Sequence, residues 1–161
     1  MKLYHGSLEV VEHPMILASN RTLDYGKGFY TTTSEKQAKD WIKRRMVEKH
    51  SPNGYVNIYD FDNGKLSEFK SLVFTEPTEE WAEFVMDNRT NKNFTHDYDI
   101  VFGPVANDRV YLQFGLYEAG AISIETLIRE LKTYKLVDQY LFHTERALTA
   151  LKFVEAIKIE L

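Results

Sequence analysis

The stretch Gly26-Lys27-Gly28-Phe29-Tyr30-Thr31-Thr32-Thr33 decides how the rest of the chain is read. Two glycines straddle a lysine, an aromatic pair and three threonines follow, and an amphipathic run begins at Ser34. Glycine accepts positive φ and lets another group approach its backbone closely. Aromatic and β-branched residues favour extended chain, and serine is a strong helix N-cap. The stretch therefore predicts a loop, a short strand and a helix in quick succession. A tyrosine leaving a glycine turn can present its ring at a cleft; the same residues also suit a glycine-rich hairpin with its aromatics packed inward.

Working outward, Lys2-Leu3-Tyr4-His5 alternates as a strand and runs into a turn at Gly6-Ser7. Residues 10–19 read as an irregular connection broken at Pro14, and residues 20–25 lead into the glycines. Downstream, Ala38, Trp41, Ile42 and Met46 share one face of a helix over 34–48, with Lys36, Lys39, Lys43 and Arg44 opposite. A turn at 51–54 precedes a strand over 55–61, and a short strand is expected within 66–74. Pro77 suits the first turn of a helix reaching Asn88 on a stripe of Trp81, Phe84 and Val85, and residues 89–98 read as loop.

The apolar run 99–105 is expected as a central strand buried on both faces. Asn107 or Asp108 caps a helix carrying Val110, Phe114 and Tyr117 that Gly120 ends; Ser123 caps another with Ile124, Leu127, Ile128 and Leu131 on one side. These two form a helical hairpin. A strand over 138–143, a short helix from Thr144 to Leu151 and a strand over 153–159 complete an α+β chain, read as one domain over 1–161.

Composition excludes several chemistries. The 161 residues contain no cysteine, so a disulfide, a cysteine zinc site and a thiol nucleophile are ruled out. A net charge of −4 argues against a broad nucleic-acid footprint. No apolar window has the length of a signal peptide or a membrane span, so a cytoplasmic protein is expected. The five histidines show no His-x-His or HExxH spacing, so no metal is expected. Nor is there a GxxxxGK[ST] or GxSxG motif. The basic residues of the first helix read as a phosphate or RNA contact or, better, as a solvated face. His5 reads either as a structural histidine or as a hydrogen-bonding imidazole at a cleft mouth.

Taken as a pair, His5-Gly6-Ser7 and Gly26-Lys27-Gly28-Phe29-Tyr30 resemble the first two signatures of the ADP-ribosyltransferase superfamily, in its histidine–tyrosine–glutamate branch. The third signature, a glutamate opening a later strand, matches Asp138-Gln139-Tyr140-Leu141-Phe142-His143, with Gln139 at the glutamate position. Nearly end to end, including residues 99–105 and 142–148, the chain is similar to a group of small bacterial proteins within that superfamily. The helical hairpin lies outside the polymerase pattern, where it would shape target recognition.

The resemblance implies split antiparallel sheets forming an NAD cleft, with His5 and Tyr30 on adjoining walls. NAD would be the substrate, its carboxamide held by the Gly6 backbone, with Ser7 and Gly28 also in the binding site. His5 would bond a ribose hydroxyl, Tyr30 would stack on nicotinamide, and Trp41 or Tyr25 would add a second aromatic surface. Gln139 would bond the ribose but cannot act as a base; Glu145 is the nearest candidate acid, though at a helix start. A macromolecular acceptor is implied, a protein rather than a nucleic acid, in a toxin-like setting with a protein partner such as an antitoxin. Three readings compete: a mono-ADP-ribosyltransferase, an NAD- or ADP-ribose-binding module without turnover, and an interaction protein whose pocket is filled.

Overall fold

In a computed structural model describing residues 1–17 and 23–161, the chain folds around one seven-stranded sheet. In chain order the elements are β1 (Lys2–Ser7), β2 (Phe29–Thr32), α1 (Glu35–Glu48), β3 (Tyr55–Phe61), a 3₁₀ turn (Asn63–Glu68), β4 (Ser71–Val73), α2 (Glu79–Thr90), β5 (Ile100–Pro104), α3 (Asp108–Glu118), α4 (Ile124–Thr133), β6 (Asp138–Phe142), α5 (Glu145–Leu148) and β7 (Leu151–Lys158). The strands lie in the order β4-β5-β6-β2-β1-β3-β7. All neighbours are antiparallel except β4 and β5, which run parallel. Residues 18–22, which end the expected connection over 10–19 and begin the lead-in over 20–25, lie outside the described residues.

The expected pair of separate antiparallel sheets is instead one mixed sheet, pinched in the middle. β1 registers with β3 from Lys2↔Asp60 to Ser7↔Tyr55, and β2 with β6 from Phe29↔Phe142 to Thr32↔Gln139. Between β1 and β2 the only register pair is Tyr4↔Thr32. The ladder stops there because the next positions are occupied otherwise: the His5 imidazole sits against the Tyr30 carbonyl at 2.7 Å. The strands diverge around that ring, which opens a cleft in the middle of the sheet.

Two helical layers cover one face of the sheet on either side of the pinch. Ala38, Ile42 and Met46 of α1 pack with Val56, Ile58 and Ile159 over the β1–β3 half. Trp81, Ala82 and Val85 of α2, Val110 and Phe114 of α3, and Leu127 and Leu131 of α4 pack with Tyr25, Val101 and Leu141 over the β5–β6 half. The opposite face carries a third cluster, in which Leu3, Phe29, Tyr59, Phe61, Ile100, Tyr140 and Phe142 meet Ala147 and Leu148 of α5. Alternate residues of each strand thus feed different clusters, as the period of a pleated strand requires.

The helix ends follow their capping residues. Ser34, Thr78, Asn107, Ser123 and Thr144 each accept a hydrogen bond from a backbone N–H in the first turn of the helix that follows. Thr78, rather than Pro77, therefore opens α2, which continues to Thr90. Gly120 follows the α3 C-cap at φ 77°, the left-handed conformation that glycine supplies cheaply. The α5 helix is shorter than expected because β7 already begins at Leu151, while β6 ends at Phe142. Among the described residues, no helix is long and apolar enough to cross a membrane.

Candidate functional site

The cleft at the pinch has a volume of about 1240 Å³. His5, Gly6 and Ser7 of β1, Asp24, Gly28, Tyr30, Trp41 and Gln139 all line it. The expected site residues are therefore brought together. By pleat, Tyr4, Tyr30, Thr32 and Gln139 face the helices, whereas His5 faces the other way with Phe29. They share a cleft only because β1 and β2 have parted.

His5 is half-buried, its ring 4.2 Å from that of Phe29. A carbonyl can only accept, so Nδ1 carries the proton donated to Tyr30 O at 2.7 Å. In the neutral ring this leaves Nε2 as an acceptor. Loss of hydration on burial holds the pKa of His5 below its ordinary value, against the opposing pull of the Tyr30 carbonyl. The site thus presents a neutral imidazole with a fixed tautomer, suited to receiving a hydroxyl proton in a hydrogen bond.

The glycine stretch is built by close approach as much as by conformation. Gly26 and Gly28 have φ of 86° and 151°. A Cβ on Gly28 would run into the Leu141 side chain and would lie 2.5 Å from the Phe142 carbonyl oxygen. The carbonyls of this turn are gripped by two histidines: His96 Nε2 meets Tyr25 O at 2.7 Å, and His143 Nδ1 meets Lys27 O at 2.5 Å. The two rings lie 4.2 Å apart. Neither histidine lines the cleft, so both are braces for the loop that does.

Gly6 lines the cleft and also has a packing role. A Cβ there would lie 2.9 Å from Ala38 O and 3.2 Å from Trp41 Cε3. Its missing side chain lets α1 sit directly on β1. Trp41, expected on the buried stripe of α1, is 40% exposed and faces the cleft instead. Lys36, Lys39 and Arg45 pair with Asp40, Glu35 and Glu48 on the helix surface, as a solvated face should, but Arg44 lines the cleft.

Tyr30 is half-buried and its hydroxyl is spoken for. It donates to Gly26 O at 2.5 Å and accepts from Tyr25 N at 3.0 Å, so it closes the turn that delivers it. Burial raises its pKa far above that of a free phenol. Tyr25, considered as a second aromatic wall, is not in the cleft. It is fully buried, donating to Pro104 O at 2.7 Å and accepting from Trp81 Nε1 at 2.8 Å. Glu145 is likewise absent from the cleft lining; it is the first residue of α5.

Gln139 lines the cleft from the second position of β6 and is 7% exposed. Its Nε2 donates to Asp24 Oδ2 at 3.0 Å. Asp24 escaped sequence reasoning. Its partners come from residues 89, 106, 111 and 139, and no local spacing announces a contact assembled from four distant segments. Arg89, at the end of α2, was missed for the same reason; its guanidinium lies 4.4 Å over the Tyr111 ring. Among the described residues, no group of three His, Asp or Glu side chains is arranged to hold a metal ion.

No curated protein is significantly similar to the chain. A family model described as "Protein of unknown function (DUF3990)" matches residues 1–153, and over that span the chain belongs to this family.

Proposed function

We propose that the chain is a mono-ADP-ribosyltransferase that takes NAD⁺ as substrate and transfers ADP-ribose to a macromolecular acceptor. The finer fold assignment, an ADP-ribosyltransferase-like arrangement, belongs to the same proposal. The observation that carries it is the His5 imidazole: its Nδ1–H is tied to Tyr30 O across the parted strands, leaving Nε2 for a ribose hydroxyl in the cleft. Trp41 offers an exposed aromatic face, and Arg44 offers positive charge for a pyrophosphate in the same cleft. A volume of about 1240 Å³ suits a bent dinucleotide.

In the reaction, the bond between ribose C1′ and the nicotinamide ring nitrogen breaks. The bonding pair leaves with nicotinamide, whose ring nitrogen loses its positive charge. C1′ carries that charge as an oxocarbenium-like centre until an acceptor lone pair bonds to it, and the acceptor proton passes to solvent. A pocket that stabilises positive charge at C1′ lowers this barrier, as carboxylates do in glycoside hydrolysis. The net charge of −4 favours a protein acceptor over a nucleic acid. A toxin-like role in the cytoplasm with an antitoxin-like partner accords with this chemistry.

A second reading, a module that binds NAD⁺ or ADP-ribose without turnover, is favoured by Gln139, which carries no charge where the resemblance calls for glutamate. Labelled NAD⁺ incubated with purified protein and cell lysate separates the two. Transfer of label to a lysate component is the expected result. Saturable binding without transfer supports the module, and binding of neither NAD⁺ nor ADP-ribose overturns both.

A further inference from the structure

The Gln139 amide can sit in the cleft in only one sense. Its Nε2 lies 3.0 Å from Asp24 Oδ2 and 3.5 Å from Pro104 O. A carboxylate and a carbonyl both accept, so the NH₂ end must point to them and Oε1 must point away. Among the described residues, none donates to Oε1. Asp24 is itself anchored from three further directions. Ala106 N donates to Oδ2 at 3.0 Å, the Tyr111 hydroxyl donates to Oδ1, and Arg89 Nη1 lies 3.7 Å from Oδ1. Asp24 is 8% exposed and is the only buried acidic residue among those described.

We propose that Asp24 is a positioning residue for this site: it turns the Gln139 carbonyl oxygen toward the ligand and supplies, one hydrogen bond behind it, the negative charge that Gln139 lacks. The proposal rests on reading the cleft as an NAD⁺ site. Oε1 then accepts from a ribose hydroxyl while the Asp24 carboxylate, held in a poorly hydrated position, faces the charge that develops at C1′. Arg89 and Tyr111 hold the carboxylate stationary, so no reorganisation is needed when that charge appears.

The arrangement also changes what Gln139→Glu should do. That substitution sets two carboxylates at hydrogen-bond distance, where both cannot readily ionise. The informative variant is the exchange Asp24→Asn/Gln139→Glu, which keeps one acid and one amide facing each other but moves the acid to the ligand side.

The test compares wild type, Asp24→Asn, Gln139→Glu and the exchange for melting temperature, NAD⁺ affinity by calorimetry, and nicotinamide release. Asp24→Asn is expected to lower kcat by about 10- to 100-fold, somewhat less than direct removal of a preorganised group, with a smaller change in KM. Gln139→Glu is expected to lower the melting temperature. The exchange is expected to recover most of that loss and to release nicotinamide at least as fast as wild type. Melting temperatures that simply add across the four proteins, or an unchanged kcat in Asp24→Asn, overturn the positioning role even where NAD⁺ binds. A wild-type protein that binds no NAD⁺ overturns the reading of the cleft, and with it the catalytic part of the proposal. The melting-temperature cycle still reports whether the pair is coupled.

Discussion

The two walls of the cleft are built by opposite means. On the side of β2 and β6, the polar groups of Asp24, Tyr30 and Gln139, with Tyr25 buried behind them, are tied to one another, to the side chains of Trp81, Arg89 and Tyr111, or to backbone groups of Tyr25, Gly26, Pro104 and Ala106. On the side of β1 and α1, the lining includes Val10, Met15, Leu17 and Trp41, each 40% exposed or more. That second wall hangs on two buried anchors. Asn57 Oδ1 accepts from Val11 N at 2.8 Å, and the Tyr59 hydroxyl donates to Val11 O at 2.6 Å. A saturated polar network has one arrangement and holds a charge still; an apolar wall has few directional demands and adapts to its ligand. Substitutions in the first wall should therefore act on stability and turnover, and those in the second on binding.

The sharpest break in that contrast is Gly28→Ala. At φ 151° the new Cβ would lie 2.5 Å from Phe142 O and 3.0 Å from His143 Cα. Strain and overpacking together predict a loss of about 3 kcal/mol or more in denaturant unfolding. Gly115→Ala is the control: nothing lies within 4 Å of a Cβ there, in the middle of α3, so a gain of about 0.5–1 kcal/mol is expected. Equal effects at the two glycines would show that the loop is not held by contact with β6.

Tyr25→Phe comes next. It removes the hydroxyl between Trp81 Nε1 and Pro104 O, leaving a buried donor and a buried acceptor without that partner. A loss of about 2 kcal/mol is expected. A change below about 0.5 kcal/mol would mean that the first wall is not held by its polar network.

This difference between the walls also explains what the sequence could disclose. The caps at Ser34, Asn107, Ser123 and Thr144 and the strand over 55–61 are local signals and were legible, whereas the Thr78 cap was masked by Pro77 beside it. So was the pairing of His5-Gly6 with the glycine stretch, because each motif is contiguous. The Asp24 network was not legible, because its members are scattered over 115 positions and meet only through the order of the strands. Trp41 is not on the buried stripe and Tyr25 is not in the cleft for one reason: helical periodicity and a glycine turn give a residue's local direction but not which neighbour covers it. The sheet closed into one at Tyr4↔Thr32 because a single pair suffices to join its halves.

On the second wall, Trp41→Ala and His5→Ala should shift unfolding by no more than about 1 kcal/mol. At NAD⁺ 100-fold above its Kd, the wild type should gain about 2.7 kcal/mol of apparent stability by mass action. His5→Ala is expected to abolish the accompanying rise in melting temperature, and Trp41→Ala to reduce it. Tyr30→Ala is a poorer probe, since it also removes the hydroxyl that holds Gly26 O and Tyr25 N. If the rise survives intact in both recommended variants, the dinucleotide binds elsewhere.

The smallest expected effect is in pH dependence. His5 on the second wall and His96 behind the first both have pKa values pushed below the ordinary 6.5, in each case chiefly by lost hydration. Below pH 6.5 the unfolded chain therefore binds protons that the folded chain refuses, so stability must fall with falling pH. The contribution is fully present above the unfolded value and is lost as pH drops through the folded values. Carboxylates such as Asp99, lowered from 3.8, lose their contribution further down and do not interfere. Unfolding free energies measured between about pH 5.5 and 7.5 should therefore rise with pH. His5→Ala should flatten that rise in part, leaving the share due to His96. A slope that is unchanged in His5→Ala would mean that the imidazole is protonated as easily folded as unfolded, which would remove the basis for a neutral, acceptor-ready Nε2 in the cleft.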